Sequence, residues 1–272
     1  MLTVFLGLFV LFLAAAALLH AAPAVWAAGL WIFGGFAALN ILYVLFWVAV
    51  ASTVDDKKPL EKPSRLCCLG CRSIPRWLCF WFRVRVRLTG EELLPPEGRF
   101  VLISNHRSGF DPLAALAKLG GRGLAFITKP SNLQIPFVGK LGYGGCCLPI
   151  DRENDRKALK TILTAADYIK KDFCSMGIYP EGTRSRTGEL LPFHAGSFKL
   201  AQKANVPLVI ACTSGSEKVM HNCLLRTTQV ELRILEVLPA EKVKATHTQE
   251  LAAYSRKLIE TALSGEKQEA SA

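Results

Sequence analysis

The run from Ile103 to Pro112 holds the residues whose types and spacing best suit chemistry, His106 and Asp111, with four residues between them. Phe100 to Ile103 reads as a short strand, and Pro112 reads as the first position of a helix that Asp111 caps. Residues five apart on an ideal helix point about 140° away from each other. His106 must therefore lie in the loop if it is to meet Asp111.

A histidine can accept a proton near neutral pH, and a carboxylate on its far ring nitrogen would fix the tautomer and stabilise the imidazolium. The pair His106 and Asp111 therefore predicts a general base that activates a hydroxyl. The alternative interpretation is that Asp111 is an ordinary helix cap and His106 an ordinary loop residue.

A second block, Pro180 to Ser185, follows an apolar run of strand type, Cys174 to Tyr179. The guanidinium of Arg184 offers a planar fork of donors that matches phosphate oxygens, and Gly182 lets backbone amides approach a ligand closely. This turn predicts a phosphate seat. The alternative is a polar loop with an ion pair between Glu181 and Arg184.

Four blocks of this chain occur in the order typical of one enzyme family. They are His106 to Asp111, Leu148-Pro149-Ile150-Asp151-Arg152, Pro180 to Ser185, and Val206-Pro207-Leu208-Val209. In these blocks, and in Thr128-Lys129 and Ile135 to Gly139 between the first two, the chain resembles the PlsC-type 1-acyl-sn-glycerol-3-phosphate acyltransferases. The resemblance covers roughly residues 80 to 240.

The resemblance implies acyl transfer from acyl-CoA or acyl-ACP, as co-substrate, to the free sn-2 hydroxyl of lysophosphatidic acid, which gives phosphatidic acid. It implies that His106 is the base, that Asp111 holds it, and that the acceptor's phosphate lies on the block 181–184, with Arg152 as a second cation. Candidate oxyanion or substrate contacts are Lys129 and Gly144. The phosphate-seat residues are Glu181, Gly182, Thr183 and Arg184.

Other activities stay open at this point. Glycerol 3-phosphate or another lysolipid could be the acceptor, a CoA-independent transacylase or a lipid hydrolase would share the base, and a non-catalytic lipid-binding protein would use only the basic residues. The chain departs from the family pattern at two places. It has Ile210 where a second proline is common, and Pro130-Ser131-Asn132 where an acid is common. Both departures bear on the identity of the acyl donor and on the acyl-chain length.

Residues 1–54 contain no Asp, Glu, Lys or Arg. A single helix of this length would be about 80 Å long, against a hydrocarbon layer of about 30 Å, so it must break. The break is expected at His20-Ala21-Ala22-Pro23, because proline stops or kinks a helix. We expect a pair of apolar membrane helices; a signal peptide is the alternative, although no basic residue precedes the apolar run.

Positive charge follows the apolar segment directly. Residues 57–87 hold nine Lys or Arg and one acid, Glu61, a net charge of +8. Such a segment favours the cytoplasmic side and an anionic membrane surface. We therefore expect a membrane protein whose catalytic domain faces the cytoplasm. Nucleic acid is the rival partner for a chain of net charge +11, but no nucleic-acid motif accompanies the charge.

Short apolar runs alternate with helical patterns through the rest of the chain, which predicts an α/β fold, a sheet covered by helices. The family resemblance implies that this sheet is mixed and glycerol-3-phosphate acyltransferase-like. Alternation of apolar residues with arginines from Phe82 to Leu88 adds a half-exposed strand. The predicted organisation is a membrane-embedded helical pair (1–54), a basic juxtamembrane linker (55–80), an acyltransferase catalytic domain (81–264) and a disordered tail (265–272).

Nine cysteines raise the question of a metal site. Cys67, Cys68 and Cys71 contain one Cys-x2-Cys pair, but no second pair at a matching distance completes a four-ligand zinc site. We expect no metal and no cofactor, and interpret the cysteines as small apolar side chains of a reducing compartment.

Overall fold

The computed structural model describes residues 2–19, 22–185, 187–223 and 225–269. Seven strands form one sheet: β1 Val84–Thr89, β2 Val101–Ser104, β3 Leu124–Thr128, β4 Leu148–Pro149, β5 Ser175–Ile178, β6 Leu208–Ser214 and β7 Thr228–Leu238. The helices are α1 Leu2–Leu18, α2 Pro23–Ser52, α3 Arg65–Trp81, α4 Asp111–Leu119, α5 Pro130–Leu133, α6 Val138–Gly144, α7 Asp155–Lys170, α8 Lys199–Ala204, α9 Val219–Asn222, α10 Ala240–Ala245 and α11 Thr248–Glu269.

The strand order is β1-β7-β6-β2-β5-β3-β4, and every neighbouring pair is parallel except β6 with β7. The central strands β2, β5 and β6 are buried almost throughout and read as continuous apolar runs, because helices cover both faces of a parallel sheet. The mixed sheet covered by helices agrees with the sequence-based expectation.

Local sequence explains how a helix is fixed on this sheet. Asn154 caps α7, with its side chain accepting a hydrogen bond from the backbone N–H of Lys157 at 3.0 Å. The same helix buries Ile162, Ala165 and Ile169 at helical spacing and leaves its charged residues outside. Removal of this apolar stripe from water stabilises the α7 packing, at roughly 25 cal/mol for each Å² of apolar surface.

The first two helices pack against each other. The rings of Phe9 and Phe33 lie 4.8 Å apart, and the ring of Phe12 lies against Gly29, where no side chain would fit. Among the described residues one helix, Pro23–Ser52, is long and apolar enough to cross a membrane, whereas the apolar part of α1 is shorter. The predicted pair of membrane helices is thus supported for α2 alone.

Proline stands in the first turn of α2, as expected for the start of a second helix. His20 and Ala21, where we predicted the break, lie outside the described residues. At the other end of the chain α11 continues to Glu269, past the point where the sequence predicts a disordered tail, and 270–272 lie outside the described residues.

The segment predicted as a linker contains a helix instead. Ser64 caps α3, and the indole N–H groups of Trp77 and Trp81 both donate to the side-chain oxygen of Asn40 on α2, at 3.0 and 3.1 Å. A proline, a glycine and several cysteines within α3 lower its helix propensity, so the contacts with its neighbours decide its conformation. α3 thereby attaches α2 to the sheet domain.

The connection between β3 and β4 is mostly helical. The apolar run 145–150 contributes only the short strand Leu148–Pro149, and α5 and α6 occupy the connecting segment. The glycines there permit close packing: Gly144 approaches α3 so closely that a Cβ atom would lie 2.6 Å from the sulfur of Cys67.

Candidate active site

The functional side chains follow three adjacent parallel strands, β5, β2 and β6, at the points where these strands end. Carboxyl ends of parallel strands meet at one edge of a sheet, where open α/β sheets bind their ligands. Asn105 ties two of the loops together at this edge, since its buried amide donates to the carbonyl of Thr213 and accepts from the N–H of the same residue, at 2.9 and 2.8 Å.

His106 and Asp111 form the predicted pair. Nδ1 of His106 lies 2.8 Å from Oδ2 of Asp111, and the same oxygen accepts from the backbone N–H groups of Arg107 and Ser108, at 2.7 and 2.8 Å. Asp111 is 1% exposed and its helix begins at this residue, so the carboxylate turns back onto the loop. Since Nδ1 donates to the carboxylate, Nε2 is the ring nitrogen that can accept a proton.

The second carboxylate oxygen of Asp111 has a partner that sequence reasoning missed. The fully buried hydroxyl of Ser216, which follows β6, donates to Oδ1 of Asp111. A lone serine 105 positions away gives no spacing signal. The position of Ser216 just after β6, a strand parallel to β2, is the one feature that could have indicated its place in the site.

The side chain of Glu181 is held by backbone N–H groups. Its oxygens accept from the backbone N–H groups of His106 (2.5 Å) and Leu191 (3.0 Å), and the residue is 4% exposed. Burial raises the pKa of this carboxyl, while the two N–H donors act in the opposite direction. These contacts hold the loop that carries His106, and the predicted phosphate contact of Glu181 stays a prediction.

Arg184 lies beside the histidine loop. A Cβ atom on Gly109 would be 3.7 Å from Nη1 of Arg184, and the N–H of Ser185 donates to the carbonyl of His106 at 2.9 Å. The two blocks that the sequence separates by seventy residues are therefore in contact. Thr183 and Arg184 are exposed at the turn.

Gly182 has a φ of +70°, a conformation that glycine adopts readily, and a side chain there would meet the ring of His194 at 3.1 Å. The Cδ atom of Arg152 lies 3.9 Å from the same point, so this second cation also reaches the turn. Burial lowers the pKa of the Arg152 guanidinium. Among the described residues no carboxylate pairs with Arg152 or Arg184.

An aromatic stack supports the imidazole. The ring of His106 stacks on that of Tyr179, with centroids 4.3 Å apart and planes 18° apart, and Tyr179 stacks in turn on Phe126 at 5.5 Å. Burial, and secondarily the charge of Asp111, raises the pKa of the Tyr179 phenol well above its usual range. Tyr179 is therefore a neutral plane against which the imidazole is oriented.

The two remaining candidates lie apart from this group. Lys129 is exposed at the start of α5, at the carboxyl end of β3 and therefore on the same edge of the sheet. Gly144 is buried against Cys67 and Val54, and its carbonyl accepts from the N–H of Ser64. Gly144 thus packs between α6 and α3, and its contact with substrate stays a prediction.

All nine cysteines are free thiols, and most are buried. Burial raises the pKa of Cys68 to about 11 and of Cys79 to about 11, which makes these two thiols poor nucleophiles at neutral pH. Among the described residues no group of three or more His, Cys, Asp or Glu side chains is arranged to hold a metal ion.

Comparison with known proteins gives consistent matches. The Acyltransferase family profile matches residues 85–214. The 1-acyl-sn-glycerol-3-phosphate acyltransferase of Salmonella typhimurium is 34% identical over 163 residues, 60% of this chain and 66% of that protein. That of Haemophilus influenzae is 32% identical over 163 residues, 60% of this chain and 67% of that protein. The human alpha enzyme is 30% identical over 164 residues, 60% of this chain and 58% of that protein.

The aligned region thus spans about two thirds of the length of the bacterial relatives, 66% in the first. Among solved structures the chain is similar to the lysophosphatidic acid acyltransferase PlsC of Thermotoga maritima, with a TM-score of 0.62, 21% identity, and coverage of 89% of this chain and 92% of that one. That likeness shows a shared fold, including the mixed sheet. The chain belongs to the PlsC-type 1-acyl-sn-glycerol-3-phosphate acyltransferase family.

Proposed function

We propose that this protein transfers an acyl chain from a thioester, acyl-CoA or acyl-ACP, to the free sn-2 hydroxyl of lysophosphatidic acid, giving phosphatidic acid. The observation that carries the proposal is the contact of two elements at one sheet edge: a histidine held by a buried carboxylate at 2.8 Å, and beside it an arginine that no described carboxylate neutralises. The first can activate an alcohol, and the second can hold the phosphate on the same molecule.

In the reaction, Nε2 of His106 takes the proton of the acceptor hydroxyl as its oxygen attacks the thioester carbonyl carbon. The carbon–oxygen bond forms, the carbon–sulfur bond then breaks, and the imidazolium returns the proton to the leaving thiolate. The products are an ester and a free thiol. Asp111 stabilises the positive imidazolium between these steps, and general-base assistance of this kind contributes about 10² to 10⁴ in rate.

The phosphate of the acceptor would lie against Arg184, with Arg152 on the other side of the Gly182 turn. Arg152 is exposed, so its guanidinium is available to an oxygen of the same phosphate. Lys129, on the same edge, stays a candidate for contact with the thioester oxygen or a donor phosphate.

Acceptor and product are both lipids, so the apolar helix α2 would hold the enzyme at the membrane that contains them. With α2 in the membrane and the basic segment 57–87 against anionic headgroups, the site lies where its substrate is dissolved. The excess of Lys and Arg after α2 favours the cytoplasmic side for the catalytic domain.

The test is a product assay on purified protein in vesicles with three acceptors, lysophosphatidic acid, lysophosphatidylcholine and glycerol 3-phosphate, each with acyl-CoA and acyl-ACP. We expect phosphatidic acid from lysophosphatidic acid and one or both donors, and little product from lysophosphatidylcholine. Preference for glycerol 3-phosphate, or transfer from a phospholipid without any thioester, would replace the proposed acceptor or donor.

A further inference from the structure

The short connection between α5 and α6 exposes apolar side chains that the proposed reaction does not use. All residues from Gln134 to Val138 are exposed, and Ile135, Phe137 and Val138 are 47%, 47% and 53% exposed. Single exposed apolar residues are ordinary, but several successive ones in one loop mark an interaction surface.

The backbone of this loop is strained in a way that turns Phe137 outward. Phe137 has φ +62° and ψ −49°, and the N–H of Val138 donates to the carbonyl of Pro136 at 2.7 Å, which makes a γ-turn of the rare, strained kind. A bulky residue with positive φ persists only where the surroundings impose it. Here the N–H of Gly139 donates to the carbonyl of Ile135, and a Cβ at Gly139 would meet the Leu133 carbonyl oxygen at 1.9 Å.

The loop continues directly into the surface on which α2 docks. Leu141, one turn after the loop, is buried in a cluster with Trp47, Val50 and Ala51, the last turns of the helix that is long enough to cross a membrane. Charge agrees with this position, since residues 129–150 contain Lys129 and Lys140 and no acid. A basic segment with exposed apolar residues fits an anionic lipid surface.

From this geometry we propose that the loop Ile135–Val138 inserts into the bilayer interface, with Phe137 as its main anchor, as a second membrane contact beside α2. The occupant of the apolar surface is the lipid itself. Contact with lipid at both α2 and this loop fixes the tilt of the sheet domain, and with it the direction in which the active-site edge faces the membrane.

Lipid contact is tested on the full chain in vesicles of phosphatidylcholine and phosphatidylglycerol with alkyne-tagged acyl chains. Phe137 is replaced by the photocrosslinker p-benzoylphenylalanine, and so, as a matched control, is Leu163, which is 47% exposed on α7. We expect tagged lipid on the Phe137 derivative and little on the Leu163 derivative. Equal labelling of the two, or a crosslink to a second copy of the chain, would overturn the proposal.

Kinetics give a second readout, which rests on the proposed function. Phe137→Ser should lower kcat/KM roughly tenfold with long-chain lysophosphatidic acid in vesicles. The variant loses the free energy of transferring about half of a phenylalanine side chain from water into the bilayer, which corresponds to a factor of about ten. It should leave kcat/KM unchanged with a short-chain acceptor dissolved as monomers, and Leu163→Ser should change neither. An equal loss with both acceptors would mean that the loop lines the acceptor's path inside the protein, and would overturn membrane insertion.

The two arms separate the two proposals. Were the proposed function wrong, the unaltered protein would form no phosphatidic acid from either acceptor, yet the crosslinking result would still decide whether the loop enters the bilayer.

Discussion

Replacement of Asp111 by asparagine isolates the charge of the carboxylate from its geometry. In the structure three N–H donors, those of His106, Arg107 and Ser108, point at Oδ2, and one hydroxyl, that of Ser216, points at Oδ1. An asparagine can keep its carbonyl oxygen at the three-donor position and place its NH₂ group against Ser216, because a hydroxyl also accepts. We therefore expect Asp111→Asn to fold with a melting temperature near that of the unaltered protein.

The cost should appear in the rate. Two unit charges 2.8 Å apart interact by about 6 kcal/mol at an effective dielectric constant of about 20. Delocalisation over the carboxylate and the imidazolium roughly halves this, which leaves about 3 kcal/mol, or a factor of about 10² in kcat. The assay is initial-rate formation of phosphatidic acid at saturating acceptor, with a thermal melt of each preparation.

Two serine variants test the hydrogen bond that supports Asp111. Ser216→Ala should destabilise the fold by about 1.5 to 3 kcal/mol, since a buried carboxylate loses a donor. Ser255→Ala removes a hydroxyl that is equally buried but finds no hydrogen-bond partner among the residues that the structure describes, and should change neither stability nor rate. A kcat for folded Asp111→Asn within threefold of the unaltered protein would refute the role of this charge.

Three further predictions concern the same edge of the sheet. Arg184→Ala should raise the KM for lysophosphatidic acid at least tenfold with a smaller change in kcat, whereas Lys244→Ala, which removes an exposed cation on α10, should leave KM unchanged. Equal KM values for Arg184→Ala and the unaltered protein would remove Arg184 from the phosphate seat. Glu181→Gln should lower the free energy of unfolding by about 1 to 3 kcal/mol, because one backbone N–H then faces an NH₂ group. Burial raises the pKa of Glu181 above its ordinary 4.5, so the native state binds a proton more tightly than the unfolded state does. Urea melts should therefore show that the stability advantage of the glutamate over the glutamine shrinks as pH rises above 4.5. Tyr179→Phe should keep kcat, since the ring stacked on His106 remains, while Tyr179→Leu should lower kcat by about twofold to tenfold. Equal rates for the two variants would mean that the stack has no part in orienting the base.

The elements that the sequence predicts well are those whose signal is local. Apolar runs of strand length predicted β2 and β5, and the alternation of apolar residues with arginines predicted β1. The spacing of His106 and Asp111, with a proline behind them, predicted a loop histidine facing a helix start. The family motifs predicted which loops would meet, although not which atoms would touch.

The misses share a physical cause, since they depend on partners distant in sequence. α3 makes contacts that its own sequence does not announce, since two of its tryptophans donate to Asn40 on α2. The two backbone N–H groups that donate to Glu181 reach it only in the folded chain, so no motif spacing predicts these contacts. Ser216 carries no pattern at all until β6 lies beside β2.

The central claim, that His106 is the base in acyl transfer to a lysolipid, is tested most directly by the turnover number of His106→Ala measured beside that of His247→Ala, which changes a histidine outside the site. We predict that His106→Ala lowers kcat for phosphatidic acid formation by about 10² to 10⁴ while its binding of lysophosphatidic acid is retained, and that His247→Ala keeps kcat. Formation of phosphatidic acid by folded His106→Ala at near the unaltered rate would contradict the account.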